Sequence, residues 1–197
     1  MIGTIEMTNK KDLDLDVSAA EKIGLGLLNS HVHFLTGEIN EENIENTIKW
    51  IIYENIICGP TPRTLTLYIN STGGSLNDSL GLIDIMKTSK CSIRIIGIGS
   101  ICSAAFMIFS SGTKGQRYIA KNTSIMCHQY TGGIEGKHHD IKSHFKELEL
   151  TNTRMINILK ENTELDTRTI KSKLLNATDV WLTADELIEL GIADDYI

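Results

Sequence analysis

The chain has 197 residues and a mass of 21.9 kDa, with 41% hydrophobic and 22% charged residues, the proportions of one globular domain large enough to bury a core without metal or disulfide staples. Its formal charge is -6 and its pI is near 5.5. That balance argues against the net basic face that nucleic acid requires, so no nucleic-acid partner is expected.

The N-terminus carries neither a basic n-region nor an apolar h-region, so no signal peptide is expected. Residues 1–17 are polar and partly acidic and read as an arm or loop. A short β-run, His31 to Leu35, ends at Gly37, and residues 41–56 show helical apolar spacing. The loop Cys58-Gly59-Pro60-Thr61-Pro62 follows, holding the only two prolines. Thr64 to Asn70 then reads as a strand that runs into Gly73-Gly74, and 75–88 as a helix with Leu76, Leu80, Ile83 and Met86 on one side. Ser92 to Gly97 is a second glycine-terminated strand.

Ile95 to Thr113 carries no charge. Its glycines and serines, and the lack of flanking basic clusters, make it a buried strand, a turn and a small-residue helix at 103–111, not a membrane span. A third strand, Thr123 to Tyr130, stops at Gly132-Gly133. Residues 138–162 form a long amphipathic pattern with Ile141, Phe145, Leu148, Met155 and Leu159 on one side. At ~1.5 Å per residue it would reach about 38 Å, longer than a small domain can cover, so it is expected to project and pair with another subunit. Strands alternating with helices predict an α/β layer architecture. The four cysteines, Cys58, Cys91, Cys102 and Cys127, lack C-x-x-C spacing and read as reduced core thiols.

Each of the three strands ends in a feature that chemistry can use. The backbone at Gly73 allows close approach and offers N–H groups to a developing oxyanion. Ser103 would sit at the start of a buried helix, either as a simple cap or as a nucleophile favoured by the positive end of the dipole. His128, on the same strand face as Met126, could be a core histidine or a general base. Parallel strands bring their C-terminal ends to one sheet edge, where Gly73, Ser103 and His128 would meet. A histidine base also needs a residue to orient it. On chemistry alone Asp166, Asp179 and Asp185 are equivalent for that role.

Other chemistries fit less well. Gly97-x-Gly99 follows a strand, but Cys102 takes the third glycine position and no acid lies between 85 and 134 to hold a ribose. Ser103 lacks the G-x-S-x-G elbow. His138, His139 and His144 lack H-E-x-x-H spacing and a third ligand, so they read as a solvated helix face and no metal is expected.

These motifs resemble the proteolytic subunit of the Clp protease family over about residues 25 to 197. Leu67-Tyr68-Ile69-Asn70-Ser71-Thr72-Gly73-Gly74-Ser75 is similar to the family's Y-I-N-S-P-G-G-S signature, with Thr72 in the place of proline. Met126-Cys127-His128-Gln129 resembles its histidine motif, and Asp179-Val180-Trp181-Leu182-Thr183-Ala184 its aspartate motif. The resemblance implies a ClpP/crotonase-type fold of repeated ββα units: an N-terminal arm or axial loop over 1–24, and one serine peptidase domain over 25–197 whose handle helix lies at about 138–162. It selects Asp179 among the aspartates. It implies a triad of Ser103, His128 and Asp179, an oxyanion hole of Gly73 and Ala104, and no cofactor. It further implies a cytoplasmic homo-oligomer, a heptameric ring stacked as a pair, that cuts peptides and unfolded polypeptides delivered by an AAA+ unfoldase. The competing expectation is an inactive relative that mixes into a ring or modulates a partner protease.

Overall fold

The structure is a computed structural model that describes residues 18–197; the arm expected over 1–17 lies outside the described residues. The first element, α1 (Ala19–Asn29), begins inside the 1–24 stretch that the resemblance gave as arm or axial loop and is opened by a capping box between Ser18 and Glu21. None of its residues is buried.

Three long strands form the centre: β1 (Val32–Ile39), β2 (Thr64–Gly74) and β3 (Ser92–Cys102). They run parallel, joined by crossover helices α2 (Glu41–Ile57) and α3 (Leu76–Thr88). Asn40 caps α2 and Ser75 caps α3, each accepting from a backbone N–H three residues on. All three strands extend beyond the expected runs. β2 continues to Gly74 because Glu38 and Ile39 pair with Gly73 and Gly74, and β3 continues past Gly97 to Cys102.

That extension lets β3 serve two neighbours. Its middle pairs with β4 (Arg117–Ile119), and its end, from Ser100 to Cys102, pairs with β5 (Ser124–Cys127). β4 also holds β7 (Asp195–Tyr196) in parallel, while β5 pairs antiparallel with β6 (Val180–Leu182). The result is a mixed α/β fold whose sheet, seven-stranded among the described residues, is chiefly parallel and flanked by helices, as expected.

The core lies where α4 (Ala104–Ser110) packs on β2 and β3. Every residue of α4 is buried, including Phe106 and Phe109. The long helix α5 (His138–Asn162) has the predicted bounds, but its buried residues, Thr151, Met155, Ile156, Ile158 and Leu159, lie in the C-terminal half. Its N-terminal half projects, leaving Ile141 and Phe145 exposed. The short α6 (Thr167–Lys173) and α7 (Ala184–Glu189) complete the chain. All four cysteines are free and buried. Among the described residues, no helix is long and apolar enough to cross a membrane.

Candidate active site

Ser103 sits at the junction of β3 and α4 in the left-handed region, with φ 55° and ψ -121°. Such a backbone costs a residue with a side chain of order ~1–3 kcal/mol and persists only where its surroundings over-determine it. They do so here. Its N–H donates to the Met126 carbonyl at 2.9 Å and its own carbonyl accepts from Phe106 at 3.0 Å, with the buried α4 directly behind. The sequence left a helix cap and a nucleophile both open. The side chain makes no capping hydrogen bond; its Oγ lies 2.7 Å from Nε2 of His128.

His128 follows β5, whose alternation buries Ile125 and Cys127 and leaves Met126 and His128 half-buried at the cleft. Beyond the ring, Oδ1 of Asp179 lies 3.7 Å from Nδ1. That is ion-pair proximity, longer than a hydrogen bond. The Asp179 side chain is 59% exposed against 19% for His128. The other two aspartates are engaged elsewhere: Asp166 caps α6 by accepting from Thr169 at 2.7 Å, and Asp185 takes the Tyr196 hydroxyl. A proton on Nδ1, on the side of the carboxylate, would leave Nε2 to accept from the serine hydroxyl.

Gly73 reaches the same point from β2. Its φ is +101°, and a Cβ built on it would stand 2.7 Å from the Ser103 Cβ and 2.8 Å from the Cys102 carbonyl, so only glycine fits. Its N–H donates to Ser71 Oγ at 3.0 Å. The N–H of Ala104, first residue of α4, has no intrahelical acceptor by position. Gly74, Leu76, Ser103, Ala104, His128 and Tyr130 are among the residues lining a cleft of about 50 Å³.

The two thiols nearest this junction are not rival nucleophiles. Burial pushes Cys127 up to about 12, against one opposing hydrogen bond from the His128 backbone, and burial also raises Cys102; both stay protonated near neutrality. His138 and His139 meet edge to face, 5.5 Å apart, at the exposed start of α5. Among the described residues, no group of three or more His, Cys, Asp or Glu is placed to hold a metal ion.

The residues singled out from sequence, Gly73, Ser103, Ala104, His128 and Asp179, converge on one place. Sequence reading missed their supports. Asn70 lies at a break in the β2–β3 register, and its Oδ1 accepts the Ser100 N–H at 3.0 Å. A Cβ on Gly99 (φ +63°) would stand 2.5 Å from that oxygen. A polar residue closing the apolar run Thr64 to Ile69 was the available signal. Gln129 donates to the Leu175 carbonyl at 2.9 Å, tying the histidine segment to the end of α6.

A family model described as Clp protease matches residues 16–197, essentially the whole described chain. The chain therefore belongs to the Clp protease family and is a serine-type peptidase of the Clp kind.

Proposed function

We propose that the chain is a serine endopeptidase in which Ser103 is the nucleophile, His128 the general base and Asp179 the residue that orients the imidazole. The observation that carries this reading is the 2.7 Å contact between Ser103 Oγ and His128 Nε2, made by a serine held in a strained backbone. In this reading Oγ attacks the peptide carbonyl while Nε2 takes its proton. His128 then passes that proton to the leaving amine, and water repeats the sequence on the acyl-enzyme. In this reading the N–H groups of Gly73 and Ala104 bind the developing oxyanion; losing one such donor typically costs ~3–4 kcal/mol of barrier. No cofactor or metal enters the scheme.

The substrates are small peptides and unfolded polypeptides, cut inside an oligomeric chamber in the cytoplasm. Family membership supports oligomeric assembly and an unfoldase partner. A stacked pair of heptameric rings, served by an ATP-driven AAA+ unfoldase, is the form we propose. The exposed, projecting half of α5 supports its use as a handle between subunits. The 3.7 Å gap and exposure of Asp179 favour one second reading, a weakly active or inactive subunit that modulates a partner protease.

A fluorophosphonate probe separates the two. The assembled wild-type protein is expected to carry one adduct, on Ser103, and Ser103→Ala none, with peptide hydrolysis abolished and assembly intact. Absence of an adduct favours the inactive reading; wild-type turnover by Ser103→Ala overturns the nucleophile assignment.

A further inference from the structure

The Gly73 N–H, an oxyanion donor in the reading above, is already committed. It donates to Ser71 Oγ, two residues back, at 3.0 Å in a bond shielded from solvent. Ser71 is 2% exposed and lies on the inward face of β2 with Leu65, Leu67 and Ile69. It is held against β3 by pairing with Ile101, just past the register break at Asn70. The acceptor is therefore a fixed part of the sheet, one residue away from the exposed Thr72, and the donor it holds belongs to the glycine pressed against the nucleophile.

We infer that Ser71 is a positioning residue for peptide hydrolysis, acting through Gly73: its hydroxyl holds the Gly73 N–H against the neutral carbonyl of bound substrate and yields it to the oxyanion. This rests on the reading of Ser103 and Gly73 just proposed. A hydrogen bond to a charged acceptor is roughly twice as strong as one between neutral groups. A neutral carbonyl gains nothing by displacing an equally neutral hydroxyl, whereas the oxyanion does. The hydroxyl thereby withholds the donor from bound substrate and keeps KM high, while the oxyanion still gains the charge-assisted excess of the bond, so that kcat is left as it would be without the hydroxyl.

The test is a KM-against-kcat comparison with a small fluorogenic peptide, on protein first shown to label at Ser103. Removing the competing hydroxyl in Ser71→Ala lets the N–H bind the ground-state carbonyl as well. KM is expected to fall about fivefold, the factor of one ordinary hydrogen bond, with kcat within about twofold. Ser71→Cys, similar in size but a weak acceptor, is expected to do the same and serves if Ser71→Ala does not fold. A fall in kcat at unchanged KM in these variants overturns the inference, because the hydroxyl would then only shape the loop. Unchanged constants overturn it too, as does failure of both variants to fold, which would assign the hydroxyl to the fold. Loss of Ser103 labelling in the wild type would instead remove the underlying reading.

Discussion

Gly73 and Ser103 touch so closely that a methyl group on the glycine would stand 2.7 Å from the serine's own Cβ. β2 and β3 thus meet at their C-terminal ends with no space for a side chain between them, and the serine's position depends on the glycine as much as on its own helix. Gly73→Ala must displace Ser103 or the Cys102 carbonyl, and its backbone must leave φ +101°. We expect kcat/KM for a peptide to fall on the order of 10²-fold or more, and fluorophosphonate labelling of Ser103 to slow with it. Labelling at the wild-type rate would show that the nucleophile had not moved.

Ser103 itself carries backbone strain that a glycine in its place would not. With φ at 55° and no capping bond from its side chain, the hydroxyl contributes nothing to the helix, and the Cβ makes the backbone less comfortable. Ser103→Ala and Ser103→Gly are both expected to be inactive, but the glycine variant should be more stable than the alanine variant by about 1 kcal/mol. Thermal midpoints compared at one protomer concentration check this, since assembly shifts the midpoint. Equal midpoints would mean that the strained backbone costs nothing measurable.

The contrast between these residues and the rest of the chain explains what could be read in advance. Gly73, Ser103 and His128 each follow an apolar run, so strand periodicity alone carried them to one sheet edge. Helix α5 was legible to its bounds because its amphipathic pattern is unbroken over residues 138–162. Asp179 had no such signal: β6 beside it is only three residues long, and chemistry offered Asp166 and Asp185 equally. What separates them is tertiary, a cap on α6 for one and the Tyr196 hydroxyl for the other. The bond from Gly73 to Ser71 and the one from Ser100 to Asn70 depend on a register shift that side-chain alternation does not encode.

Asp179 should matter less than its partners in the triad. At 3.7 Å from Nδ1 and 59% exposed, its carboxylate, in the role proposed for it, would orient the ring from a solvated position. A buried, hydrogen-bonded orienting aspartate is worth about 10⁴-fold in kcat; for Asp179→Asn we expect a loss nearer 10²-fold. Peptide turnover under saturating substrate measures it. A loss as deep as that of Ser103→Ala would show that the gap closes to a full hydrogen bond in the working enzyme.

The C-terminal segment is held by a buried ion pair whose acid sensitivity has a definite sign. Arg117 is 1% exposed; its Nε and Nη2 donate to the two Asp194 oxygens at 2.9 and 2.6 Å, and its Nη1 to the Asn162 carbonyl at 2.8 Å. Burial pushes the Asp194 carboxyl up, but the hydrogen bonds and charge of Arg117 together outweigh it and hold the group below the ordinary aspartate value. A carboxyl depressed in the folded state contributes stability above its unfolded pKa, about 3.9, and loses it as pH falls towards the folded value. Asp194→Asn leaves the guanidinium buried without a counter-charge, which typically costs ~3–5 kcal/mol, and it removes this group's pH dependence. Urea midpoints at pH 7 and near pH 3.5 should therefore show the variant weaker than wild type at neutrality, with the difference narrowing in acid. A constant difference across that range would mean that Asp194 titrates alike in the folded and unfolded chain, so that Arg117 does not depress it, and a difference that widens in acid would mean that the carboxyl is held neutral in the fold.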